Sequence, residues 1–132
     1  MYPGDLLYSD THQWVRVEDG VVTVGITHYA QSQLGDIVYV DLPRPDEEAR
    51  RAEPLGSVES VKAVADINSP VSGHIAEVNT SLDDAPEQIN QDCYGAGWLA
   101  KIELADPSEL RSLMNAQQYV QFVRQLAEQK GK

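Results

Sequence analysis

Basic residues are scarce in this chain. Ten lysines and arginines stand against 21 aspartates and glutamates over 132 residues, a formal charge of −11. Nucleic-acid binding needs cations to meet phosphates, so no nucleic-acid partner is expected. An acidic surface instead favours steered encounters with basic ones. The deficit is uneven: residues 1–106 hold six basic and nineteen acidic residues, whereas residues 107–132 hold four and two. Cysteine is scarcer still. Cys93 is alone, so no intrachain disulfide can form, which fits a reducing compartment. No apolar run approaches the roughly 20 residues of a bilayer span, so no membrane partner is expected. Met1 to Ser9 contains no basic residue, so neither a secretory nor a mitochondrial presequence is visible, and a cytoplasmic location is the expectation.

Chemical motifs are also missing. His12, His28 and His74 are scattered, without metal-site spacing or cysteine partners. No nucleophile elbow or phosphate-binding loop occurs. Gly95-Ala96-Gly97-Trp98-Leu99-Ala100 fits a dinucleotide-binding pattern, but it precedes a strand, whereas that mechanism needs a strand before it and a helix after it. Asn79-Thr80-Ser81 is a glycosylation sequon that matters only after secretion. No catalytic constellation is left. That points away from an enzyme and toward a carrier.

What is present reads as a single domain spanning residues 1–132, with a β core over about 5–105 and C-terminal helices over about 107–129. A chain this long buries roughly two-thirds of its unfolded surface. Trp14-Val15-Arg16-Val17-Glu18 alternates, Asp19-Gly20 is a hairpin turn signal, and Val22, Val24 and Ile26 share one face of a returning strand. Thr27 is placed to cap a short helix through Leu34, which Gly35 ends. Ile37 to Leu42 is a strand stopped by Pro43. Residues 43–54, rich in both charges, predict a solvated loop. Ile75–Asn79 and Trp98–Leu104 are strands, and the segment between them is irregular, with one helical turn near Pro86–Ile89. Asp106, Pro107 and Glu109 open a helix with an acid cap and proline at the first position. A break near Asn115 leads to a second helix, 117–129, with Tyr119, Val120, Val123, Leu126 and Ala127 on one face.

The stretch that organises all this is Gly56 to Gly73, GSVESVKAVADINSPVSG. β-Branched and small residues surround one lysine, which suits two short strands meeting at a turn that carries Lys62. Val61-Lys62-Ala63-Val64 lacks the Asn-Gly or Asp-Gly of strong hairpin turns, so periodicity alone also allows one strand from Leu55 to Ile67. A lysine at a turn tip is ordinarily there for solubility. It is also reachable by a modifying enzyme, and acylation would exchange its charge for a long flexible group.

Several blocks make the reading specific: His12-Gln13-Trp14-Val15, TVGITHYAQSQLGDIVYVDLP from Thr23 to Pro43, the Glu-Ser-Val-Lys-Ala block followed by Ser-Pro-Val-Ser-Gly, Glu77-Val78-Asn79, and YGAGWLAKIELADPSEL from Tyr94 to Leu110. With these, the chain resembles the glycine cleavage system H proteins along nearly its whole length. The resemblance implies a mainly β fold, a barrel-sandwich hybrid of two antiparallel sheets of the lipoyl/biotinyl-like kind, with a C-terminal helical segment. It places the family's lipoyl-bearing lysine on Lys62, with lipoic acid joined by an amide. It implies a non-catalytic shuttle. The glycine decarboxylase (P-protein) would pass an aminomethyl group to the lipoyl arm, the aminomethyltransferase (T-protein) would take it on, and the dihydrolipoyl dehydrogenase (L-protein) would reoxidise the arm. Lipoate-attaching enzymes are the remaining partners.

A loaded arm should be kept from water between partners. Asp66, four residues after the lysine, is the candidate for helping to form that cleft, and Glu59, three before it, for recognition by the lipoylating enzyme. Gln13 is a third candidate, at a position where the family commonly has an acid. Glutamine accepts a hydrogen bond from an ammonium group but offers no full charge. Cys93 replaces a usual proline, with no chemistry attached. Among rival readings, a biotin carrier would have methionine beside the lysine, where Val61 and Ala63 stand. A lipoyl domain of a 2-oxoacid dehydrogenase would be a module of a longer chain. An H-like protein relaying or storing lipoyl groups for other lipoate-dependent enzymes stays open, and Gln13 favours it slightly.

Overall fold

A computed structural model describes residues 2–130. It contains two antiparallel sheets. The larger runs in the order β1 (Leu7–Tyr8), β2 (Gln13–Glu18), β3 (Val21–Ile26), β9 (Ala100–Leu104), β8 (Gly73–Val78) and β5 (Glu48–Ala49). The smaller is β4 (Ile37–Asp41), β6 (Pro54–Ser60) and β7 (Val64–Asn68). The expected two-sheet β architecture with a helical C-terminus is therefore what forms.

Local chemistry explains most boundaries. Helix α1 (His28–Leu34) begins at Thr27, whose hydroxyl accepts from the Ala30 N–H at 3.2 Å. It ends at Gly35, whose φ of 81° suits a residue without Cβ. In β3, Val22, Val24 and Ile26 are buried as their spacing predicts, but so are Thr23 and Gly25. At Gly25 the reason is Trp14, whose ring lies so close that an added Cβ would sit 2.6 Å from it.

Three expectations need adjusting. The charged connection 43–54 is not simply a solvated loop: Glu48–Ala49 pairs with Gly73–His74, and Ala49 is buried. Two of its acids turn to His74, with Asp46 at 3.1 Å and Glu48 at 3.3 Å. The irregular segment holds two helical turns, α2 (Ser81–Asp84) and α3 (Gln88–Gln91), which bury Leu82 and Ile89. The helix opened by Asp106 is a 3-10 helix, Pro107–Ser112. Glu109 does not reach back to the cap; its carboxylate accepts from the N–H and hydroxyl of Ser72 at 2.7 and 3.1 Å.

The break at Asn115 is a capping arrangement. Its side chain accepts from the Gln118 N–H, and the Gln118 side chain accepts from the Asn115 N–H. Helix α4 (Ala116–Lys130) follows.

The interior falls into three clusters. One, between the smaller sheet and α2–α3, holds Ile37, Val40, Val58, Ile67, Leu82, Ile89 and Leu99. A second gathers Val15, Val22, Val24, Ile75 and Ile102 from the larger sheet. The third is aromatic: Leu6, Tyr8, Trp14 and Tyr119 lie where α4 meets the N-terminal strands, with the Tyr8 and Tyr119 rings stacked at 4.8 Å.

Candidate functional site

The hairpin of β6 and β7 reverses over Val61–Ala63 and puts Lys62 at its exposed tip. Ser60 organises the turn. Its backbone N–H donates to the Ala63 carbonyl at 2.8 Å, and its buried hydroxyl accepts from the N–H groups of Lys62 and Ala63 at 3.3 and 3.1 Å. A serine side chain closing its own turn supplies what Asn-Gly would otherwise provide. A second brace comes from outside the hairpin: the Val61 N–H donates to the Asp36 carbonyl at 3.1 Å. The tip is thereby pinned against the end of α1. The Lys62 Cε lies 3.7 Å from where a Cβ on Gly35 would stand. Lys62 forms no ion pair within 4.0 Å among the described residues.

Beside the tip, α1 and β7 enclose a cavity of about 300 Å³. Tyr29, Ala30, Leu34, Val58, Ala65 and Ile67 give it largely apolar walls, and Asp66, Gln13 and His12 also line it. The structure thus brings two predicted residues, Gln13 and Asp66, to one cavity, while Glu59 lies outside it on the exposed face of β6. Asp66 is exposed at the rim. Gln13 is buried, and its side-chain carbonyl already accepts from the Ser9 and Thr11 hydroxyls, each at 2.6 Å, while its amide N–H donates to the Thr11 carbonyl at 2.8 Å. Both lone pairs of that oxygen are occupied, so Gln13 stiffens the wall more than it offers an acceptor. A further cavity, of about 390 Å³ near Arg51 and Phe122, includes none of the four predicted residues.

Sequence reading missed Ser60 and a polar chain at the cavity's far end. The buried Tyr119 hydroxyl lies 2.7 Å from Thr27 Oγ1 and 2.7 Å from His12 Nδ1. Thr27 Oγ1 also accepts from the Ala30 N–H and has a second lone pair and its own proton to share with Tyr119, so the three side chains form one hydrogen-bonded chain. Burial pushes the Tyr119 hydroxyl well above its ordinary pKa, so it keeps the proton it donates. The 92 and 107 residues separating these partners hide the arrangement from sequence.

Among the described residues no group of three or more His, Cys, Asp or Glu is placed to hold a metal ion. None of their helices is long and apolar enough to cross a membrane. Burial pushes the Cys93 thiol up to about 11, so it is not a nucleophile at neutral pH.

Both the sequence and the fold have known relatives. The profile of the family described as Glycine cleavage H-protein matches residues 6–126. The chain belongs to this family. It is 53% identical over 118 residues to the glycine cleavage system H protein of Thermotoga maritima, covering 89% of this chain and 95% of that one. It is 50% identical over 123 residues to that of Symbiobacterium thermophilum, covering 93% and 96%. The crystal structure of a glycine cleavage system H protein from Mycobacterium marinum superposes with a TM-score of 0.83 at 40% identity, over 98% of this chain and 99% of that one. The two-sheet fold described above is therefore shared with that solved family member.

Proposed function

We propose that the chain is the lipoyl-bearing shuttle of glycine cleavage, with lipoic acid amide-linked to Lys62. On this reading it carries a one-carbon amine fragment from glycine decarboxylase to aminomethyltransferase, and electrons to dihydrolipoyl dehydrogenase. It works in the cytoplasm as a non-catalytic subunit, after a lipoate-attaching enzyme has loaded it. The observation that carries the reading is the exposed Lys62 amine on a tip fixed by Ser60 and Asp36, beside an apolar-walled cavity.

These residues fit the group. A tether needs a stiff base so that its free end, not its root, does the searching, and the Ser60 turn provides one. Tethering then raises the local concentration of the carried group at each partner far above its bulk value. When bound, the lipoyl group supplies a reversible disulfide as its reactive part. The protein's share is to anchor, shelter and balance charge. Lys62 gives up its positive charge in the amide. The walls formed by Tyr29, Ala30, Leu34 and Ile67 exclude water from whatever enters. Asp66 at the rim complements a cationic cargo, while Gln13 holds the wall through Ser9 and Thr11. Glu59, on the outer face, is placed for recognition.

Intact-mass measurement with peptide mapping on protein from lipoylating cells should locate the added group on Lys62. Exchange of bicarbonate into the glycine carboxyl by the decarboxylase should then require that group and vanish in Lys62→Arg. Exchange that persists in Lys62→Arg would refute the proposal. Asp66→Ala should shorten the lifetime of the carried fragment on isolated protein; an unchanged decay rate would remove Asp66 from the cleft.

A further inference from the structure

The outer face of the smaller sheet carries an uncommon concentration of exposed apolar side chains. Val38, Tyr39, Val61 and Val64 are 49, 57, 71 and 67% exposed. Their placement follows from a β-bulge. Simple alternation would put Tyr39 on the same side as buried Ile37, but the pairing of β4 with β6 shifts between Ile37 and Tyr39. Val38 and Tyr39 both turn outward as a result, and Ile37 and Val40 both turn in. Bulges commonly re-aim side chains beside functional sites. The register then aligns Tyr39, Glu59 and Val64 in one cross-strand row, two residues from the row of Asp41, Ser57 and Asp66. The face therefore has an apolar row with acidic residues in it and next to it, and Lys62 stands at its end.

We infer that this face, centred on Tyr39, Glu59 and Val64 with Val61 at the tip, is the surface held by the enzyme that acylates Lys62. The inference rests on the shuttle reading above. The occupant is chosen by reach. Amide formation brings the neutral lysine nitrogen to bonding distance of the acyl carbon of a mixed anhydride made from lipoic acid and ATP. The N–C bond forms, the acyl–phosphate C–O bond breaks, the nucleoside monophosphate leaves with the electron pair and the nitrogen gives up a proton. That active site must therefore close around the residues flanking Lys62. Enzymes acting on the far end of a long arm work a full arm's length away and need not touch the tip. Charge sets the partner's character: Glu59, Asp41 and Asp66 are exposed, so the acylating enzyme presents an apolar patch ringed by lysine or arginine.

The test uses the full chain, a purified lipoate–protein ligase, free lipoic acid and ATP, with modification followed by intact mass. Tyr39→Ser/Val64→Thr should lower kcat/KM for the modification at least tenfold, mostly through KM. Val17→Ser, an exposed valine on the other sheet, should stay within twofold. Glu59→Gln should slow modification and weaken its salt dependence. Because every changed side chain is exposed, thermal unfolding should be unaltered, and Val61→Thr gives an independent reading if the double variant is not. Variants loaded to completion should support glycine–bicarbonate exchange within twofold of the parent. Wild-type rates of modification in the variants would overturn the inference and leave the shuttle intact. Normal modification with impaired exchange would assign the face to the decarboxylase and likewise overturn it. A parent chain that takes up no mass would overturn both readings.

Discussion

Tyr119→Phe tests the polar chain that joins α4 to the cavity. The substitution keeps the ring, its stacking on Tyr8 and its volume, and removes one oxygen. That oxygen serves two partners, Thr27 Oγ1 and His12 Nδ1, both at 2.7 Å. Its loss leaves the hydroxyl of Thr27, which is fully buried, without its Tyr119 partner. A buried group left unsatisfied costs about 1–3 kcal/mol, and each lost hydrogen bond about 1 kcal/mol, so a destabilisation of roughly 2 kcal/mol is expected. For 132 residues that corresponds to a fall in Tm of about 7 °C. Urea titration and calorimetry should agree on the loss. A Tyr119→Phe, Thr27→Val double-mutant cycle should show coupling of about 1 kcal/mol, because the partners share one contact. A loss below about 0.5 kcal/mol with additive single effects would refute the chain as drawn.

Other consequences can be measured alongside. Gly73→Ala drives a methyl into the Glu103 carbonyl, with Ile102 Cγ2 only 2.8 Å away; overpacking of this kind costs about 1–3 kcal/mol, read as a lower denaturation midpoint. His74 should titrate above the ordinary histidine value, because Glu48 and then Asp46 accept its hydrogen bonds. Its contribution to stability is full below that ordinary value and fades as pH rises through the raised one. Glu48→Gln should bring the midpoint down in a proton NMR titration. Cys93, with its thiol pushed up to about 11 and buried, should resist alkylation at pH 8 until the chain is unfolded by denaturant; rapid labelling of native protein would contradict its placement.

Elements written by neighbouring residues were legible. Thr27 and Gly35 bracket α1, and Asp19-Gly20 turns β2 into β3. The bend at Lys62 was only half written: periodicity also allowed one strand through it, and the turn is closed by Ser60. The function was legible through resemblance, since motif and spacing converge on one lysine. Long-range features were hidden. The bulge that exposes Tyr39 depends on how β4 meets β6, and nothing in Ile37-Val38-Tyr39-Val40 announces it. Trp14 covering Gly25 on the second face of β3, and Glu48 pairing with His74, are tertiary effects that overrule alternation and local charge. Gln13 shows the same limit at the site: sequence gives its chemistry, but only the fold shows that Ser9 and Thr11 have already claimed its oxygen.

Helix α1 also serves as a ruler. It spans seven residues, about 10 Å at 1.5 Å each, from the His12–Tyr119–Thr27 end to Gly35, where the Lys62 side chain crosses. Any appendage rooted at Lys62 is gauged against that length. A short acyl chain would stop partway along the groove, whereas a longer one would run its full course to the aromatic end. The length of α1 thus fixes how long an appendage at Lys62 would have to be to reach the aromatic end, independently of which enzyme attaches it.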